Sequence, residues 1–153
     1  WGVSGPLEAD EESPEKYGLA FHQSNFRWAQ NALGMCAFLP WDPQHLVDIT
    51  SAATGWKFSQ MEYQALGQRV QTMARLYNTL VGFTAADDSL PPRLFRAFES
   101  GPLEGYEYPR EWWEQGKKVF YSLMGWGSDG IPTREGLMGL GLGEFVDKVP
   151  AVA

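Results

Sequence analysis

The chain has 153 residues, and 44% of them are hydrophobic, which provides enough apolar area for a single packed core and excludes a disordered protein. Its 19 acidic and 12 basic residues give a formal net charge of -7, which disfavours a nucleic-acid partner because phosphates would be repelled. The single cysteine excludes an internal disulfide and favours a reducing, cytoplasmic location, and no apolar run reaches the roughly 20 residues of a membrane span.

The N-terminal stretch from Gly2 to Pro14 is rich in glycine, serine, proline and acidic residues. This composition predicts a flexible N-terminal segment over residues 1–14. Because the chain begins at Trp1, we expect it to be a piece of a longer protein. Residues 15–153 are predicted to form a single multihelical domain.

Helical periodicity and capping signals follow one another along this domain. Ser59 and Glu62 have the spacing of a capping box, Asp42 and Pro43 are typical of a helix start, and Thr133 caps a late helix. In chain order, the predicted helices run from Glu15 to Leu33, Pro43 to Gly55, Ser59 to Gly82, Arg93 to Phe98, Pro109 to Gly125 and Thr133 to Gly141, with room for a further turn in Leu142 to Val149. No segment alternates as a strand would. The predicted fold class is therefore all-α, an irregular domain of about five to seven helices.

Few residues outside one short segment suggest chemistry. The two histidines, His22 and His45, have no metal-binding spacing and are expected to be surface or cap-region side chains. Asp87 and Asp88 lie in a turn and are expected to cap backbone amides rather than to act as acid and base. The two remaining patterns are expected to be structural, as helix-terminating glycines (Gly139, Gly141, Gly143) and as a packed aromatic pair (Trp112, Trp113).

The segment from Asn31 to Cys36 is the exception, because it contains the only cysteine at the end of a predicted helix. Gly34 would let the backbone approach a flat or anionic ligand, and Asn31 places an amide one turn upstream. A lone thiol can be a ligand only where other groups complete the site, and a free cysteine is otherwise a small buried hydrophobe.

This segment resembles the Asp-x-x-Gly-Leu-Cys motif of the tungsten-containing aldehyde:ferredoxin oxidoreductases. Three further stretches resemble the same family's C-terminal region in the same order, and together they extend over about residues 17–143. These stretches are Ala74 to Asn78, Gly82 to Pro91, and Gly125 to Thr133.

The resemblance implies a C-terminal helical domain of a larger enzyme, which encloses a tungsten or molybdenum bis-pterin centre together with an N-terminal β-rich domain. It implies that Cys36 is the fourth ligand of a 4Fe-4S cluster, whose other thiolates come from a Cys-x-x-Cys-x-x-x-Cys motif. It also implies that Asn31 and the backbone of Gly34 and Met35 contact the pterin. The implied reaction is oxidation of an aldehyde to a carboxylic acid, with electrons passing to ferredoxin or a similar carrier.

The chain departs from the family pattern at two points. Asn31 replaces an aspartate, so the negative charge is lost and hydrogen bonding to a pterin would be weaker or differently arranged. The three-cysteine motif is absent from these 153 residues, so we expect no cofactor and no activity in the chain by itself. No residue is assigned a catalytic role. The alternative is a non-catalytic interaction or scaffold domain, in which Cys36 is a buried structural thiol and a Trp-rich face binds a partner.

Overall fold

The structure, a computed structural model, describes residue 3, residues 5–8 and residues 12–149. These residues form five α-helices, two 3-10 helices and no β-strand, which confirms the all-α prediction. In chain order, the elements are α1 (Pro14–Ala32), α2 (Pro43–Thr54), α3 (Gln60–Leu80), a 3-10 helix (Pro92–Phe95), α4 (Arg110–Met124), α5 (Arg134–Gly139) and a second 3-10 helix (Gly143–Lys148). Part of the predicted flexible segment, residues 1, 2, 4 and 9–11, lies outside the described residues.

Side-chain caps fix the starts of four of the five α-helices. The Asp42 carboxylate accepts a hydrogen bond of 2.8 Å from the backbone N–H of His45 and begins α2. Ser59 and Glu62 form the predicted capping box of α3, with each side chain accepting from the other residue's N–H. The hydroxyls of Ser13 and Thr133 each accept one backbone N–H and so begin α1 and α5. These short-range signals explain why the predicted and observed helix starts agree closely.

The central contact of the fold is an antiparallel pair formed by α1 and α3. Phe26 packs against Tyr63 with ring centroids 5.4 Å apart, and Ser24 donates a hydrogen bond of 2.9 Å to Gln71. The two helices therefore run in opposite directions. Leu46 and Val47 of α2 complete the buried cluster on one side of this pair. Both ends of the segment around Cys36 are thereby fixed to the core, since Leu33 and Trp41 pack against this cluster.

Tyr63 carries the largest side chain that is fully buried, with 1% of its surface exposed. Burial raises the pKa of its hydroxyl to about 12, and that hydroxyl has no hydrogen-bond partner among the described residues. Because the folded pKa exceeds the unfolded value of about 10, the stability linked to this group is complete below pH 10 and is lost as the pH rises towards 12.

Replacing Tyr63 with phenylalanine is therefore expected to flatten the alkaline loss of stability. At neutral pH the variant should be more stable by about 1 kcal/mol, because it keeps the ring and removes an unsatisfied buried hydroxyl. Urea unfolding at pH 7 and at pH 11, followed by circular dichroism, measures both effects. Tyr77→Phe is the control, since Tyr77 lies on the same helix with its side chain exposed. A variant that loses stability at pH 7 would mean that the hydroxyl has an acceptor.

The predicted helix from Arg93 to Phe98 is wrong in extent and in type. A 3-10 helix ends at Phe95, Arg96 is extended, and Phe98 pairs across the following loop. The Phe98 N–H donates to the carbonyl of Tyr106 at 3.0 Å, and its carbonyl accepts from the N–H of Gly105 at 2.9 Å. Since these bonds engage the backbone of Phe98, the helix cannot continue through it.

A second buried cluster lies at the end of α4, where Tyr121, Met124 and Trp126 pack together. Arg75 of α3 reaches this cluster and donates a hydrogen bond of 2.7 Å to the carbonyl of Gly130. The loop that follows α4 is thereby fastened to the central helix pair. In the part of the chain that the structure describes, no helix has the length and apolar character needed to cross a bilayer.

Candidate functional site

The four residues predicted to contact cofactors lie together on the turn that ends α1. Gly34 has a left-handed backbone with φ of +70°, and its N–H donates to the carbonyl of Asn31 at 3.0 Å. The N–H of Met35 donates to the carbonyl of Gln30, also at 3.0 Å. These two bonds form a Schellman motif, in which glycine at this position avoids a steric penalty. The turn directs the chain away from the helix axis just before Cys36.

The faces of this turn differ in what they contact. Met35 packs its side chain against the buried cluster around Phe26 and Tyr63. Asn31 and Cys36 are exposed. Apart from the adjoining residues, no atom of the described part of the chain lies within 4 Å of the position that a Cβ on Gly34 would occupy. Met35 therefore anchors the turn, while the amide of Asn31 and the backbone at Gly34 are open to a ligand.

Three side chains that the sequence did not single out hold the loop that follows. The Gln30 amide and the Trp41 indole both donate to the carbonyl of Cys36, at 2.9 and 3.1 Å. The Arg27 guanidinium donates to the Gln30 side chain at 3.0 Å and to the carbonyl of Ala37 at 3.2 Å. The sequence signal that could have identified this role is Gln30 itself, a polar residue on the apolar side of α1. In the structure its side chain is 1% exposed.

Cys36 is exposed in this domain, so it is not buried in the domain's own core as the scaffold alternative expected. Phe38, two residues later, is 99% exposed, so this loop presents apolar surface to the outside. Among the described residues, no group of three or more His, Cys, Asp and Glu side chains lies close enough together to hold a metal ion. The donor set therefore fits one ligand of a shared iron–sulfur cluster, which needs about four thiolates, and it does not fit a complete site.

A cavity of about 800 Å³ opens between α1, α3 and α4, away from Cys36. Its volume is typical of small-molecule pockets. Its wall is largely aromatic and includes Tyr17, Trp28, Tyr108, Trp112, Trp113 and Phe120. Trp112 and Trp113 were predicted to be a packed pair. In the structure both side chains are half-buried and line this cavity, so they are not wholly enclosed in a core.

Asp87 and Asp88, which border the cavity, have different roles. Asp87 accepts hydrogen bonds from the backbone N–H and the hydroxyl of Thr84, at 2.8 and 3.0 Å, and these bonds lower the pKa of its carboxyl group. This is the predicted amide cap. Asp88 is not a cap, because its carboxylate forms an ion pair of 2.7 Å with the Arg75 guanidinium and accepts a hydrogen bond from Tyr121.

The groups that contact the Asp88 carboxylate are a tyrosine hydroxyl and a buried guanidinium. Burial, followed by the hydrogen bond to Asp88, raises the pKa of the Tyr121 hydroxyl, so Tyr121 stays protonated. Arg75 holds the Asp88 carboxylate and is itself 7% exposed. The charges of this ion pair compensate each other within the fold. The arrangement is that of a structural ion pair, and it does not form an acid–base pair between the two aspartates.

The remaining sequence candidates have structural positions. His45 lies in the N-terminal cap of α2, with its Nδ1 3.2 Å from the Asp42 carboxylate, and His22 lies within α1 beside Phe21. Gly141 follows α5 with a left-handed backbone, as expected of a helix-terminating glycine.

Comparison with known proteins identifies relatives for nearly the whole chain. A family model described as aldehyde ferredoxin oxidoreductase, domains 2 and 3, matches residues 3–142. The tungsten-containing aldehyde ferredoxin oxidoreductase of Pyrococcus abyssi is 32% identical over 149 residues, which are 95% of this chain and 24% of that protein. The same enzyme of Thermococcus kodakarensis is 31% identical over 149 residues, with the same coverage. The chain thus spans about a quarter of the length of these relatives.

The fold also occurs among solved structures. An example is a chain of the active site complex BamBC of benzoyl coenzyme A reductase, in complex with 1,5-dienoyl-CoA. It superimposes with a TM-score of 0.72 and 22% sequence identity, over 94% of this chain and 22% of that chain. At this identity the likeness concerns the fold alone.

Proposed function

The chain belongs to the aldehyde ferredoxin oxidoreductase family, and from that premise we propose that residues 15–153 are the C-terminal helical domain of an enzyme that oxidises aldehydes to carboxylic acids. The family is one of oxidoreductases, and the relatives named above contain tungsten. The proposed partners are the N-terminal domains of the same polypeptide, an aldehyde substrate and ferredoxin or a similar electron carrier. The cytoplasmic location stays a prediction from the single cysteine.

Within such an enzyme, this chain contributes ligands and surface rather than the reacting centre. When bound, a tungsten or molybdenum bis-pterin centre would supply the two-electron oxidation, and a 4Fe-4S cluster would supply electron transfer. Cys36 is proposed as the fourth cluster ligand. The Asn31 amide and the backbone of Gly34 and Met35 are proposed to contact the pterin, and Gly34 is the open position of these two.

The exposed position of Cys36 on a fixed loop is the observation that supports this proposal most strongly. The carbonyl of Cys36 is hydrogen-bonded to the buried Gln30 and to Trp41, so the backbone is held while the thiol remains accessible. Ligand residues in metal sites are commonly oriented in this way by their neighbours. The nearby apolar surface of Phe38 also supports a loop that is covered by another domain in the complete enzyme.

Changing Cys36 to serine in the full-length parent is expected to remove the intact 4Fe-4S cluster, because serine lacks the thiolate that iron prefers. Iron and acid-labile sulfide per polypeptide, together with the electron paramagnetic resonance of the dithionite-reduced protein, measure the loss. We expect the iron content to fall below about four atoms per polypeptide and the electron paramagnetic resonance signal to change or disappear.

Ala53→Ser is the matched control, since it adds one oxygen atom to an exposed residue of α2, outside the loop of Cys36, and leaves the thiol in place. A Cys36→Ser parent that keeps four iron atoms and an unchanged spectrum would contradict the proposal. Sequencing the upstream reading frame gives an independent check. A Cys-x-x-Cys-x-x-x-Cys motif in the same polypeptide is expected, and its absence would favour the scaffold alternative.

A further inference from the structure

Two consecutive carbonyls of the loop after α1 are turned towards the helix by side-chain donors. The Cys36 carbonyl accepts from Gln30 and Trp41, and the Ala37 carbonyl accepts from Arg27 at 3.2 Å. These bonds are not needed to end α1, because the Schellman motif at Gly34 already satisfies the last carbonyls of that helix. They fix the orientation of the two peptide groups that follow the cysteine.

The orientation of these carbonyls also determines where two N–H groups point. A trans peptide holds its C=O and the following N–H in opposite directions, and the described residues contain no cis peptide bond. The N–H groups of Ala37 and Phe38 therefore point away from the Gln30, Trp41 and Arg27 donors. Within the described part of the chain, neither N–H has a hydrogen-bond acceptor, and both residues are exposed.

The hydrogen bonds of Gln30 make this arrangement rigid. Gln30 is 1% exposed, its amide oxygen accepts from Arg27, and its amide nitrogen donates to Cys36. A buried side-chain amide with both ends hydrogen-bonded has one favourable orientation, since reversing it would oppose donor to donor and acceptor to acceptor. The loop is thus held in one conformation before any partner arrives.

We infer that Arg27, Gln30 and Trp41 are positioning residues that present the N–H groups of Ala37 and Phe38 to the sulfur atoms of the cluster ligated by Cys36. This inference rests on the proposed function. Hydrogen bonds to cluster sulfurs favour the reduced state, which carries one more negative charge, and so raise the reduction potential. The three side chains would thereby set the potential of a cluster that they do not touch.

Trp41→Phe in the full-length parent tests this inference, because it removes the indole donor and keeps an aromatic ring on the core cluster. We expect the midpoint potential to shift to a more negative value and the electron paramagnetic resonance g-values of the reduced cluster to change, while the iron content stays unchanged. Trp56→Phe is the matched control, since Trp56 is 61% exposed and its indole donates to no described residue. Its potential and spectrum should equal those of the parent protein.

Arg27→Lys is a second variant, because it keeps the charge and removes the guanidinium that contacts both Gln30 and Ala37. We expect the midpoint potential of this variant to shift in the same negative direction. Arg27→Lys provides the test if Trp41→Phe does not fold. If Cys36→Ser abolishes the cluster while both positioning variants keep the original potential and g-values, this inference fails and the proposed function stands. If Cys36→Ser keeps four iron atoms, the proposed function fails and this inference fails with it.

Discussion

Replacing Gly67 with alanine is expected to separate α1 from α3 and to destabilise the chain severely. A Cβ at this position would lie 1.8 Å from the backbone carbonyl oxygen of Asn25 and 2.5 Å from its carbonyl carbon. Backbone atoms in the middle of a 19-residue helix cannot move aside as a flexible side chain would. We expect a loss of at least about 3 kcal/mol in the free energy of unfolding, at the upper end of overpacking effects.

Thermal and urea unfolding of the 153-residue chain, followed by circular dichroism, measure this loss. Gly18→Ala is the matched control, since Gly18 lies inside α1. Apart from the adjoining helix backbone, none of the described residues has an atom within 4 Å of the position that its Cβ would occupy. That variant should gain about 0.5–1 kcal/mol, because alanine favours a helix interior more than glycine does. Equal behaviour of the two variants would show that the helices do not approach each other at Gly67.

Much of the fold could be predicted because its signals are local. The capping box at Ser59, the cap at Asp42 and the glycine that ends α2 act within four residues of their own position. The stretch around Phe98 could not be predicted in this way, because its partners are Gly105 and Tyr106, which the loop brings back. Pairing that depends on loop closure leaves little trace in helical periodicity.

The candidate site was predictable only in part, for a similar reason. Cys36 and Gly34 could be recognised from residue type and from the end of a periodic segment. The roles of Gln30 and Trp41 could not, because both act on a backbone carbonyl whose position exists only in the fold. The family resemblance gave Cys36 a function that periodicity and spacing did not provide.

Asp88 is the clearest case of a residue whose role the local sequence misrepresents. Its turn suggests a cap like that of Asp87, yet its carboxylate lies 2.7 Å from the guanidinium of Arg75 on α3. Arg75 also donates to Gly130 and lies 5.6 Å from the ring centroids of Tyr121 and Trp126. The ion pair therefore joins α3 to the segment before α4, and the hydrogen bond from the same arginine to Gly130 joins α3 to the loop after α4.

Asp88→Asn is expected to lower the free energy of unfolding by about 3 kcal/mol, because it leaves a buried guanidinium without its counter-charge. Urea unfolding of the chain at pH 7 measures this loss. Glu114→Gln is the control, since the Glu114 carboxylate forms an ion pair of 3.0 Å with Lys117 and is 47% exposed. Because water reaches this carboxylate and the Lys117 ammonium keeps the carbonyls of Ala85 and Asp88 as acceptors, the change should cost no more than about 1 kcal/mol.

A double variant separates the cost of the unpaired charge from the value of the pair itself. Arg75→Met with Asp88→Leu removes both charges and replaces the guanidinium beside Tyr121 and Trp126 with an apolar side chain. If the unpaired guanidinium is the cause, the double variant should recover most of the stability that Asp88→Asn loses. A double variant as unstable as Asp88→Asn would instead mean that the hydrogen bonds lost with the two side chains carry the stability, namely those from Arg75 to the Gly130 carbonyl and from Tyr121 to Asp88.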